Sequence, residues 1–75
     1  MTQAEFQKIS SGLPNLPGIY KYYDESNYLL YVGKAKSIRK RVSSYFTKTF
    51  TSYKTHELVR RINRIEFTIV NYIGD

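Results

Sequence analysis

Cysteine is absent from this 75-residue chain, which excludes disulfides and thiolate zinc sites and suits a reducing compartment. Long apolar runs are missing too. The longest, Tyr28 to Val32, is five residues, far short of a membrane span or a signal-peptide core, so the expectation is a soluble, cytoplasmic protein with no membrane partner. Acidic residues are scarce where it matters most. From Ser26 to His56 there is none, against seven basic residues: Lys34, Lys36, Arg39, Lys40, Arg41, Lys48 and Lys54. The net charge of +6 is therefore concentrated on one part of the chain, the usual footprint of a phosphate-backbone partner. A solvated basic face is the plainer alternative, but five of the seven fall between Lys34 and Arg41, beside an aromatic stretch, and nucleic acid is the favoured partner.

What is present is a globular composition, 41% hydrophobic and 16% aromatic, in a chain long enough for one domain with a marginal core. No internal repeat or low-complexity tract interrupts it. Thr2 to Ser11 reads as a short helix, with Thr2 and Glu5 spaced as a capping box and Phe6, Ile9 and Leu13 apolar. Gly12 stops it, and Pro14, Asn15 and Pro17 hold an extended connector. Two tyrosine-rich strands follow, Gly18–Tyr23 and Tyr28–Gly33, joined by Asp24, Glu25, Ser26 and Asn27. A symmetric four-residue loop sets Tyr20 opposite Tyr31 and Ile19 opposite Val32, with Tyr20, Tyr31, Gly18 and Gly33 on an open, ligand-facing side. Ile19, Lys21, Tyr23, Tyr28, Leu30 and Val32 are then expected to pack against a helix.

A helix is expected from Ser37 to about Phe46, capped by Ser37, with Ile38, Val42 and either Tyr45 or Phe46 inward and Arg41 one turn before Tyr45. After a polar loop, Thr47 to Ser52, carrying Lys48 and Phe50, comes a helix from about Tyr53 to Asn63 and an alternating third strand over Ile65 to Val70. The fold class is α+β: a three-stranded antiparallel sheet flanked by helices, in the order α-β-β-α-α-β.

Among candidate sites, Lys34 follows the second strand, and free amides at the start of the next helix favour a phosphate between Gly33 and Ser37. The spacing is not that of a Walker loop. His56, the only histidine, has no partner motif and reads as a surface residue, and Glu66 reads as structural. The eight tyrosines fit core, base-stacking or proton-transfer roles. With an ordinary pKa of about 10, a tyrosine acts as a base near neutrality only if a cation stabilises its phenolate, and Arg41 and Lys34 are candidates.

Gly18-Ile19-Tyr20, ten residues, then Tyr31-Val32-Gly33 with Lys34-Ala35-Lys36 and the run Arg39 to Phe46 resemble a GIY-YIG nuclease domain, most closely its bacterial excision-repair branch. Tyr72-Ile73-Gly74 spells the second tripeptide literally but lies too far along the chain. The resemblance implies a metal-dependent DNA endonuclease that incises on the 3′ side of a lesion, and partner excinuclease subunits, UvrA and UvrB, met through a longer protein. It implies a catalytic set of Tyr20, Tyr31, Lys34, Arg41 and Tyr45, while the basic block supplies the expected nucleic-acid contacts, Lys34, Lys36, Arg39, Lys40, Arg41 and Lys48. One divalent ion, magnesium or manganese, is implied, with its glutamate ligand on a helix downstream of Asp75. On this reading residues 1–75 are a single nuclease domain cut short at its carboxyl end, with weak or absent cleavage alone.

Overall fold

Thr2 starts the chain's first helix by the reciprocal bonds its spacing with Glu5 predicts. Its hydroxyl accepts from the Glu5 amide at 3.1 Å, and a Glu5 carboxylate oxygen accepts from the Thr2 amide at 2.7 Å. The computed structural model describes residues 1–47 and 52–71, so Lys48, Phe50 and the Tyr72-Ile73-Gly74 tripeptide lie outside the described residues. The elements are α1 (Gln3–Ser10), β1 (Gly18–Tyr23), β2 (Leu29–Ala35), α2 (Ile38–Thr47), α3 (Tyr53–Arg61) and β3 (Arg64–Ile69). The three strands form one antiparallel sheet in the order β2-β1-β3, the architecture expected. Among the described residues no helix is long and apolar enough to cross a membrane.

The hairpin register differs from the expected one by two residues: Tyr20 lies opposite Gly33, and Tyr31 opposite Tyr22. Two one-residue insertions account for it. At the turn, Asp24 and Tyr28 close a three-residue loop, with Asp24 N–H donating to Tyr28 O and Asn27 N–H to Asp24 O, both at 3.0 Å. Asn27 takes the left-handed conformation this loop demands, with φ of 65°. Further along, the pairing jumps from Tyr23↔Leu29 to Tyr22↔Tyr31, so Leu30 is a bulge residue, and it packs against the core. A shift of two conserves parity, and Tyr20 and Tyr31 still share a face.

That face is the core face, which reverses the expected roles. Tyr20 and Tyr22 are buried with Phe6, Leu13, Ala35, Ile38, Val42, Phe46 and Ile62, whereas Tyr28, Leu29 and Val32 are exposed. Phenol rings bury more area than branched aliphatic chains, and the glycines let helix and strand close over them. A Cβ on Gly18 would sit 2.3 Å from Thr68 O and 2.5 Å from Ile38 Cδ1. The two helices flanking the connector meet through Phe6 and Phe46, whose rings stack 4.4 Å apart and within 3° of parallel.

Helix α3 stops two residues short of the expected Asn63 because Ile62 turns extended and buries its side chain. The Met1 ammonium donates there to Val59 O, Arg60 O and Ile62 O at 3.3, 3.2 and 2.5 Å, a positive charge at the negative end of a helix. Arg64 belongs to β3 instead, lying 4.1 Å over the Tyr23 ring, bonded to Asn27 Oδ1 at 3.0 Å and paired with Glu66.

Candidate functional site

Where β1 and β2 run beneath α2, Ile19, Tyr20, Tyr31, Val32, Gly33, Lys34, Arg41 and Tyr45 line an open pocket of about 660 Å³. Tyr20 comes from the central strand and Tyr31 and Lys34 from the edge strand. Arg41 and Tyr45 are one turn apart on the helix. The structure thus brings together all five residues that sequence reasoning proposed as catalytic. Gly33 makes room for the arrangement: a Cβ there would fall 2.3 Å from Tyr20 Cζ and 2.4 Å from its Oη, so the phenol lies across the strand only because the side chain is missing.

Tyr20 Oη and Tyr45 Oη are 3.2 Å apart and share a hydrogen bond. The ring centroids of Tyr20 and Tyr31 are 6.1 Å apart, those of Tyr31 and Tyr45 6.4 Å. Tyr22 forms the floor, 5.3 Å from Tyr20 and 5.2 Å edge-on from Tyr45, fully buried and with no partner for its hydroxyl among the described residues. Sequence reasoning missed it, although its place two residues beyond Tyr20 on the same strand is enough to put it on that face.

The phenols are shifted against ionisation. Burial raises the Tyr20 pKa well above the ordinary tyrosine range, and its hydrogen bond to Tyr45 and the neighbouring phenols raise it further, while Arg41 acts weakly the other way. Burial and then the other phenols raise that of Tyr22 likewise. Tyr31 is raised first by Tyr45, through charge and hydrogen bonding, then by burial. Arg41 does favour the phenolate form, as a neighbouring cation should, but its pull is smaller than desolvation at Tyr20, Tyr22 and Tyr31.

The pocket's positive charge is free to meet an anion. Lys34 and Arg41 are exposed, and neither has an ion-pair partner among the described residues, where the pairs are Arg60–Glu57 and Arg64–Glu66. Lys36 and Lys40 are also exposed. Arg39 behaves differently: its Nε donates to Leu13 O at 2.7 Å and its Nη2 to Ser11 O at 3.3 Å. The expected phosphate site on the first amides of α2 is also corrected. Ile38 N–H donates to Leu16 O at 2.9 Å, Arg39 N–H to Pro14 O at 3.0 Å and Lys40 N–H to Ser37 Oγ at 3.3 Å, so those donors are engaged. His56 is exposed on α3, and Glu66 lies on the sheet face opposite Tyr20.

No group of three metal-ligating side chains exists among the described residues. The pocket lining contains no carboxylate, only phenols, an ammonium and a guanidinium. A hard divalent cation asks for anionic oxygen, so these residues by themselves do not fit one.

In fold, the chain resembles the GIY-YIG N-terminal endonuclease domain of UvrC from Thermotoga maritima bound to magnesium, its catalytic divalent cation. The TM-score is 0.72 at 24% identity, over 88% of this chain and 71% of that one. The sheet, the helices and the tyrosine-lined pocket define an α+β domain of the GIY-YIG class. The model of the UvrC-like GIY-YIG domain matches residues 16–73, and the chain belongs to that family. It is 48% identical over all 75 residues to UvrABC system protein C of Porphyromonas gingivalis, and 51% identical over 67 residues, 89% of the chain, to that of a Psychrobacter species. It spans only 12% and 11% of those relatives' lengths.

Proposed function

We propose that this domain is the DNA-cleaving module of a cytoplasmic excision-repair endonuclease that hydrolyses a phosphodiester on the 3′ side of a lesion. UvrA and UvrB are the partners, met through the full-length protein. The observation that carries the reading is the convergence of two cations with no ion-pair partner among the described residues, Lys34 and Arg41, on the hydroxyls of Tyr20, Tyr31 and Tyr45 in one open pocket.

In this reading Arg41 and Lys34 hold the non-bridging phosphoryl oxygens and stabilise the charge that gathers there. Tyr20, kept neutral by burial, accepts a hydrogen bond from the attacking water and orients it, with Tyr45 fixing the Tyr20 hydroxyl through their 3.2 Å contact. Tyr31, half-exposed at the rim, orders the water or the phosphate from the other side. The water oxygen bonds to phosphorus as the bond to the departing sugar oxygen breaks, and the proton that the water gives up to solvent is matched by one that the departing oxygen takes from it. Lys36 and Lys40 extend the basic track for the DNA backbone, and Lys48 belongs to the same track by sequence. Magnesium or manganese is the expected cofactor, its carboxylate ligand drawn from outside the eight lining residues.

The test is a nicking assay on damaged duplex DNA with magnesium, using the full-length protein. Arg41→Ala and Tyr20→Phe are each expected to lower the rate by about 10²-fold or more, as loss of a preorganised transition-state contact does. Unchanged nicking in both variants refutes the assignment. The lack of a carboxylate in the pocket favours a second reading, a basic module that binds DNA without cutting it. Salt-dependent binding with no metal-dependent nicking by the full-length protein would select it.

A further inference from the structure

Arg39 sits inside the basic run, yet its guanidinium is turned onto main-chain carbonyls. It donates to Leu13 O and Ser11 O, at the end of α1 and in the connector that follows. The same connector is tied to the start of α2 by Ile38 N–H to Leu16 O, by Arg39 N–H to Pro14 O and by the Ser37 hydroxyl to Asn15 Oδ1. Its far end is held to the sheet by Val70 N–H donating to Pro17 O at 3.1 Å. Five hydrogen bonds therefore fasten the connector to residues 37–39. Arg41 follows two residues later, its own N–H bonded to Ser37 O at 3.1 Å, and Tyr45 one turn beyond.

We propose that Arg39 is a positioning residue and not a phosphate contact: with the 11–17 connector it fixes the first turn of α2 and so sets Arg41 and Tyr45 over the pocket. The proposal rests on the pocket being the phosphodiester site. A helix behaves as a stiff rod over a turn or two, so the angle of its first turn decides where the side chains of the next two point. Misplacement by about 1 Å is enough to cost a reaction heavily. Two directional donors on one planar group suit arginine, whereas lysine offers a mobile point charge that cannot hold both carbonyls.

The experiment uses this chain, with Arg39→Ala, Arg39→Lys, Asn15→Ala and Arg41→Ala. One arm measures duplex DNA binding against salt, where each phosphate contact contributes about 0.9 to the logarithmic slope. Arg41→Ala is expected to lose about that much, and adding Arg39→Ala to Arg41→Ala to lose no more. The other arm follows the arginine Nε–Hε and tyrosine ring signals by NMR without DNA. Arg39→Ala and Arg39→Lys are expected to shift the Arg41 and Tyr45 signals alike, and Asn15→Ala, which removes a single bond of the set, to shift them less. A further loss of about 0.9 in slope when Arg39→Ala is added to Arg41→Ala, or unmoved Arg41 and Tyr45 signals in folded Arg39 variants, overturns the proposal. If Arg39→Ala does not fold, Arg39→Lys and Asn15→Ala decide it by the same signals. If the native chain does not bind DNA, the phosphodiester reading fails and the NMR arm alone decides the positioning.

Discussion

Replacing Gly33 with alanine adds a single methyl, and the geometry says where it goes. The new Cβ would stand 2.3 Å from Tyr20 Cζ, whereas carbon atoms rest at about 3.5 to 4.0 Å, so the phenol must retreat by more than about 1 Å. It has nowhere to go, because Tyr20 is 2% exposed, with Tyr22 below it and Tyr45 beside it. Overpacking of this kind costs about 1–3 kcal/mol. In a domain of this size each kcal/mol lowers the melting temperature by about 4–8 °C, so Gly33→Ala should melt at least about 4 °C below the native chain. Gly12→Ala is the control: its Cβ meets Ile9 O at 3.4 Å, an ordinary contact, and no glycine has positive φ among the described residues. That change should be neutral, or stabilising by about 0.4–1 kcal/mol, through the unfolded chain's lost freedom. Thermal melts followed by circular dichroism compare the two. If Gly33→Ala melts within about 1 °C of the native chain, while Gly12→Ala behaves as expected, the close approach of Tyr20 to the strand is wrong and so is the role given to Gly33.

Tyr22→Phe removes a buried hydroxyl that has no partner among the described residues, and is expected to raise stability by about 1–2 kcal/mol in urea unfolding; a loss would show that the hydroxyl is satisfied in solution. Because Tyr20, Tyr22 and Tyr31 have pKa values raised above those of the unfolded chain, the folded state holds protons that the unfolded state releases. Their contribution to stability should therefore be flat below about pH 10 and fall as pH rises beyond it, and ultraviolet titration should show these three phenols ionising above the ordinary tyrosine range. Thr2→Ala breaks the reciprocal bonds with Glu5 and should cost about 1 kcal/mol, read in the same urea experiment.

Much of this was legible in the chain because the signals were local. Thr2 and Glu5 mark a helix start by spacing alone, Ile38, Val42 and Phe46 mark an apolar stripe, and Arg41 and Tyr45 must be neighbours one turn apart. The register was not, since it depends on whether Asn27 adopts φ of 65° and whether Leu30 is squeezed out of the ladder, choices made by twist and core packing across the sheet. Nor was the direction in which the tyrosine face points. Alternation puts Tyr20 and Tyr31 together, but only the three-dimensional fit of Gly18 against Ile38 and Gly33 against Tyr20 shows that helices cover that face. Arg39 was assigned to the phosphate track on charge, and carbonyls as distant in sequence as Leu13 O and Ser11 O could not be seen from its neighbours.

The hairpin's two single-residue insertions have an evolutionary corollary. Each alone would turn Tyr31 and Gly33 to the opposite side of the sheet, and only together do they return both to the pocket. A change in length confined to the turn beyond Tyr23 and Leu29 leaves this pairing intact, whereas an odd insertion within the paired residues turns Tyr31 and Gly33 away from the pocket unless a second bulge repairs it.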